Sequence, residues 1–212
     1  MNKVLFISLM LLLTFQVSAC GTDTPDTDNT EQDENGNSNL IPGENGRYLV
    51  LFTSRTGNTE SMAKIISGSL KCDVLEVVPS VPYDGDYNSM LQRARNEQSA
   101  IGQGNYPSIK TSVENVGDYD MIFIGYPIWH GHMATTMQAF LHAHRSKLSG
   151  KQIALFASSG SSGIGTSATE ARTLCPDATF TETLLLTSSS LGQKESRIGT
   201  WLQKLNVTVD AD

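Results

Sequence analysis

Apolar and polar positions alternate in blocks along this chain. Four runs are apolar enough for strands: RYLVLFTS (47–54), MIFIGYP (121–127), KQIALFASS (151–159) and TETLLLTS (181–188). The first three are nearly continuous, as in strands covered on both faces. A weaker run, DVLEVVPS (73–80), alternates and closes with Pro79, which suits an edge strand. Helical spacing appears between them, at 59–70, 88–100, 135–148, 167–175 and 195–205. Strand and helix in alternation predict an α/β fold, a doubly wound parallel sheet with helices on both faces.

The residues that could carry chemistry follow strand ends. SRTGNT, YPIWHG and SSGSSGIG each come after the carboxyl end of a strong run. In an open α/β sheet such loops share one edge, and ligands bind there at the switch point of the strand order. Three polar, glycine-bearing loops should therefore converge on one crevice.

The first loop leads into a helix starting near Thr59. A helix N-terminus offers free N–H groups and partial positive charge. Ser54, Thr56, Asn58 and Thr59 add side-chain donors, and Gly57 lets the backbone curl inward. Such a loop cradles a phosphate; a capped turn rich in turn residues reads the same way. Arg55 either assists the phosphate or faces solvent. No Gly-Lys-Ser/Thr is present, so this is not a Walker loop. In the second loop Trp129, beside Pro127 and Gly131, is either a stacking surface for a flat ligand or a cover for the core. The third loop offers hydroxyl and backbone donors for the polar edge of a heteroaromatic ring. Its Gly160, Gly163 and Gly165 have the wrong spacing for a dinucleotide fingerprint, and no G-x-S-x-G is present.

Composition changes the picture at the amino end. Lys3 precedes the apolar stretch VLFISLMLLLTF, which is short for a membrane span. It runs into VSAC, which resembles a bacterial lipobox. The expectation is a lipoprotein signal peptide over 1–19, lipidation of Cys20, and lipid anchoring in the bacterial cell envelope, periplasmic or surface-exposed. Two or three acyl chains would hold a membrane stably. Between Gly21 and Gly46 there are seven acids and no base, within a chain of net charge −7. That composition reads as a disordered acidic tether over 20–46. The remainder, 47–212, is nearly neutral and the size of one domain. It has no basic patch that would suit nucleic acid.

The loops SRTGNT, YPIWHG and SSGSSGIG, in this order and spacing, resemble those of the flavodoxin family, and specifically a subgroup of bacterial flavodoxin-like lipoproteins. The segment PYDGDYNSMLQRARNEQ (82–98) is similar to that subgroup's second connection. The resemblance covers roughly 47–205. It implies a five-stranded parallel sheet in order 2-1-3-4-5 and non-covalent FMN. It places the phosphate on Ser54, Arg55, Thr56, Gly57, Asn58 and Thr59. It places the isoalloxazine against Pro127, Ile128, Trp129, His130 and Gly131, with further contacts at Ser159, Gly160 and Gly163. The chain departs from the family pattern at His130, where a second tryptophan is usual, at Met133-Ala134 in place of Met-Pro, and at Ser159 in place of glycine.

The implied sheet order separates the cysteines. Cys72 and Cys175 would flank opposite edge strands, about 19 Å apart at about 4.8 Å per strand gap. A disulfide requires Cα atoms within about 7 Å. No bond between them is expected.

Three functions fit these residues. One is an FMN electron-transfer protein anchored to an envelope membrane, serving a redox partner protein or small-molecule acceptor. Another is an FMN-dependent reductase of quinones or other small acceptors. For that reading, the third loop has no aromatic to cover the flavin's other face, and His130 or His132 could supply a proton. The last is a flavin-free binding module. His142 and His144 lie on different faces of one helix, so no metal pair is read.

Overall fold

The computed structural model describes residues 30–32, 37–40, 48–83 and 85–207. Cys20 and the segment expected as a signal peptide lie outside the described residues. The elements, in chain order, are β1 (Tyr48–Phe52), α1 (Asn58–Leu70), β2 (Asp73–Glu76), α2 (Tyr87–Ile101), β3 (Met121–Trp129), α3 (Thr135–His144), β4 (Gln152–Ser159), α4 (Gly165–Leu174), β5 (Leu184–Thr187) and α5 (Lys194–Lys204). All five strands run parallel, in the order β2-β1-β3-β4-β5. This is the expected 2-1-3-4-5 sheet.

Side-chain alternation explains the continuous apolar runs. Leu49, Leu51, Ile122, Ile124 and Leu155 pack in one core with Met137, Phe140 and Leu141 of α3 and Ala168 and Ala171 of α4. Val50, Phe52, Phe123 and Phe156 pack in a second core with Met62, Ala63 and Ile66 of α1 and Ile198, Trp201 and Leu202 of α5. The inner strands thus feed two cores and are covered on both faces, while the edge strands β2 and β5 are half-buried on one side. The helices carry the matching stripes. In α1 the buried positions are 59, 62, 63, 66, 67 and 70, the spacing of one helical face. By contrast α2 buries only Met90 and Ala94, so it lies against the body as a surface helix.

Two ends differ from the sequence expectation. β5 begins at Leu184 rather than near Thr181. Phe180 pairs with Ile153 and Leu184 with Phe156, so three residues on one strand face two on the other. The extra residue is a bulge. The displaced carbonyl of Glu182 accepts the Trp201 indole N–H at 2.9 Å. α3 ends at His144 rather than 148. Lys147 N–H bonds back to His144 O at 2.9 Å, the tighter three-residue step of a closing helix.

Cys72 and Cys175 are free. Burial pushes the Cys175 thiol up to about 11 and the Cys72 thiol up to about 12. In the segment read as a tether, Thr30–Gln32 pairs antiparallel with Asn37–Leu40, and Asn37-Ser38 runs parallel to Ser112-Val113.

Candidate functional site

The carboxyl edge of the sheet holds a crevice of about 200 Å³. Ser54, Arg55, Thr56, Asn58 and Thr59 come from the first loop, Pro127, Ile128 and Trp129 from the second, and Ser159 and Gly160 from the third. The three loops therefore meet. Strand order brings them together: β1, β3 and β4 are neighbours, so their ends are adjacent.

The first loop is shaped by Gly57, which precedes α1 with φ 82°, a left-handed conformation natural to glycine. Its N–H donates to Ser54 Oγ at 3.2 Å, which draws the loop into a curl. The N-cap residue of α1 is Gly57, which has no side chain to cap the first turn. The helix's leading N–H groups are left for a ligand, together with the positive end of the helix dipole. Thr59 Oγ1 lies 2.8 Å from Ser158 Oγ, a buried contact that fixes this turn to the end of β4. At the end of β2, Glu76 accepts a hydrogen bond from the Ser54 backbone. Burial first, and the nearby Glu60 second, push its carboxyl above the ordinary range.

Arg55 lines the crevice and also binds the neighbouring connection. Its Nε donates to Tyr83 O at 3.3 Å and its Nη2 to Gly85 O at 3.0 Å. The guanidinium thus ties the first loop to the connection before α2. The cradle lined by Ser54, Thr56, Asn58 and Thr59 is a set of neutral donors.

Trp129 is held by a hairpin. β3 runs on past the sheet and folds back, pairing Ile128 with Met133 and Trp129 with His132. The turn is His130-Gly131, with φ 52° and 85°. Two left-handed residues match the twist of a tight hairpin, so the glycine is required and His130 carries strain. Tyr83 packs edge-on against the indole, with ring centroids 4.8 Å apart. That ring is itself fixed. Its hydroxyl donates to Glu97, which also accepts from Thr135 Oγ1 at 2.5 Å and from Arg93 Nε at 2.8 Å. The Arg93 guanidinium lies 4.0 Å from the Tyr83 ring centroid. Burial, with Glu97 adding to it, pushes the Tyr83 hydroxyl up to about 12, so it stays a donor at neutral pH.

His130 and His132 lie outside the crevice lining. Both border a neighbouring groove of about 360 Å³ with Trp129, Arg95, Gln98 and Thr135. His132 Nδ1 sits 2.5 Å from Glu170 Oε1, and Glu170 Oε2 accepts the Met133 N–H at 2.9 Å. Gly57 and Gly131 shape turns with positive φ, and neither they nor Gly163 line the crevice. The crevice also gathers residues the sequence did not single out: Tyr87 and Met90 of α2, Ser158 and Ser188. Ser158 stood within the quoted Ser/Gly run, one residue before Ser159. Tyr87 stood in the 82–98 segment, where nothing local points to the crevice.

A doubly wound sheet with a phosphate-type cradle, an aromatic wall and a hydroxyl-rich loop on one edge defines a nucleotide-cofactor protein of the flavodoxin-like class. Comparison with known proteins then gives the family. A family model described as flavodoxin matches residues 47–205. The chain belongs to the flavodoxin family. A protein of Bacteroides eggerthii DSM 20697 described as a flavoprotein superposes with TM-score 0.66 at 33% identity, over 76% of this chain and 99% of that one. A flavoprotein of Lactobacillus acidophilus NCFM in complex with FMN gives TM-score 0.58 at 22% identity, over 69% of this chain and 97% of that one, a likeness of fold. An NAD(P)H dehydrogenase (quinone) of Rhizobium meliloti (strain 1021) is 32% identical over 121 residues, 54% of this chain and 54% of that protein. The chain thus spans about half the length of the curated relatives it matches.

Proposed function

We propose that this protein binds FMN non-covalently in the crevice and passes electrons through it, while an acylated Cys20 anchors it to a bacterial envelope membrane. The convergence of the three loops on one crevice carries this reading. The donor set fits the cofactor. Ser54, Thr56, Asn58, Thr59 and the open first turn of α1 would hold the phosphate. Trp129 would lie along the ring, and Ser158, Ser159 and the backbone of Gly160 would meet its polar edge. The flavin supplies one- and two-electron redox chemistry when bound. The chain's part is to hold and orient the ring, keep water from one face with the indole, and surround it with hydroxyl and backbone donors, with Arg55 in the crevice wall. Among the described residues no carboxylate or lysine lines the crevice.

A second reading, a reductase of quinones or other small acceptors, draws on the dehydrogenase relatives and on His132, whose ring Glu170 fixes beside Trp129. Rapid turnover of NAD(P)H with a quinone by the purified protein would favour it over a carrier.

Titration with FMN, followed by quenching of flavin fluorescence, tests the crevice. Trp129→Ala should weaken binding by more than about 1 kcal/mol, roughly fivefold, from lost aromatic stacking. A protein that stays colourless with added FMN, or a variant with unchanged affinity, refutes the assignment.

A further inference from the structure

The hairpin that carries Trp129 is held unevenly. Ile128 and Met133 face each other across it and are buried in the first core. Trp129 is only half-buried, at the border of that core, and its pairing partner His132 is half-buried too. The return strand is just His132-Met133. A two-stranded hairpin is marginal by itself even when longer. The end that bears the indole therefore depends on contacts from outside the sheet.

Glu170 of α4 supplies such contacts at both residues of the return strand. Its Oε1 lies 2.5 Å from His132 Nδ1, and its Oε2 accepts the Met133 N–H at 2.9 Å. Both residues stand directly across from Ile128 and Trp129. The Glu170 side chain is 18% exposed, so little water competes for these bonds, and bonds to a carboxylate are stronger than neutral ones. Gln98 Nε2 of α2 adds a longer contact to Oε1 at 3.5 Å. The helix that carries Glu170 is itself registered on β3, because the buried Tyr126 hydroxyl donates to Ser167 Oγ at 3.2 Å, one turn earlier. That helix starts at Gly165, directly after the third loop. One carboxylate thus ties the second loop of the crevice to the third, although Glu170 does not line the crevice itself.

We propose that Glu170 is a positioning residue for the crevice: by gripping His132 and Met133 it sets the attitude of Trp129 without touching the ligand. This rests on the FMN reading given above and deepens it. Without Glu170 the indole stays in the chain, but the hairpin that presents it is free to shift. Glu170 acts only through Trp129, so once Trp129 is gone the loss of Glu170 has little left to cost.

FMN titrations of the full chain compare wild type, Glu170→Ala, Glu170→Gln, Trp129→Ala and the double variant Trp129→Ala/Glu170→Ala. Affinity should fall about threefold or more in Glu170→Ala, up to the loss seen in Trp129→Ala, and the fluorescence of the bound flavin should rise as the indole leaves its place. Glutamine keeps an oxygen for the Met133 N–H and an amide group for His132, so Glu170→Gln should bind within about twofold of wild type. The double variant should bind within about twofold of Trp129→Ala, whereas a residue acting only on the fold would add its own loss. His132→Ala breaks one of the two grips and should move affinity and fluorescence the same way by a smaller factor. Wild-type affinity and fluorescence in Glu170→Ala, or losses that add in full in the double variant, would overturn this proposal while leaving the FMN reading standing. Should Glu170→Ala not fold, wild-type behaviour of His132→Ala would overturn it instead. Wild type that takes up no FMN would overturn both.

Discussion

Gly125 is the position where a single methyl group should cost most. It lies in β3, between Phe52 of β1 and Phe156 of β4. A Cβ built on it would stand 2.2 Å from Phe156 Cζ, 2.3 Å from Cε2 and 2.9 Å from Cε1. The Phe156 ring lies flush over the glycine and uses the missing side chain as its floor. It is fully buried and packs against Trp201 at 6.4 Å between centroids, so it has no space to retreat into. Overpacking of this kind costs about 1–3 kcal/mol, and contacts this short belong at or above the upper end. For a domain of this size, about 3 kcal/mol corresponds to roughly 6–12 °C in melting temperature. Thermal melts and urea titrations of Gly125→Ala should show this, with the urea m-value unchanged. Phe156→Leu in the same chain should recover part of the loss, as a favourable coupling of about 1 kcal/mol or more in a double-mutant cycle. A Gly125→Ala protein that melts within about 2 °C of wild type would refute the argument.

Two further outcomes are expected. His144 is buried, accepts the Val113 N–H at 3.4 Å and has Nδ1 3.0 Å from Phe140 O. Burial, the largest effect, takes its pKa below the ordinary 6.5; the hydrogen bond to Phe140 O opposes it next, Lys147 adds a smaller lowering, and Glu114 a still smaller raising. The unfolded chain therefore takes a proton before the native one, so this stability is present above about 6.5 and is lost as pH falls through the lower native value. Melting temperature should decline from pH 7 to pH 5 in wild type and less so in His144→Gln; equal declines would remove His144 from the account. Separately, Cys20→Ala in the full chain should abolish labelling by fatty acid and release the protein from the membrane fraction. Continued labelling would exclude Cys20 as the anchor.

Much of the fold was legible because the strands feed two cores. A run such as MIFIG admits few readings besides a strand covered on both faces. The ligand edge was legible for a related reason, since loops after parallel strands share one side. What escaped was contact at long range. Tyr87 reaches the crevice because α2 is folded back, tied to the body by Glu97 on Thr135, Gln98 on Gln138 and the buried Met90 and Ala94. Glu170 meets His132 across 38 positions of chain. Arg55 looked like a phosphate ligand or a free surface charge, and its carbonyl partners lie 28 and 30 residues away. Periodicity cannot report any of these. The late start of β5 was hidden as well, because a bulge changes register without changing composition.

The hairpin that carries Trp129 has one more consequence. β3 is paired with β1 as far as Gly125 and with β4 as far as Pro127, and beyond that it pairs only with itself. Two of the departures from the family's motif, His130 and Ala134, fall on this overhang and its return. The overhang is nonetheless built into the body: Ile128, Met133 and Ala134 are buried in the first core, and Glu170 of α4 accepts the Met133 N–H. The place of Trp129 is therefore coupled to the packing of α3 and α4, whose Met137, Phe140, Ala168 and Ala171 share that core.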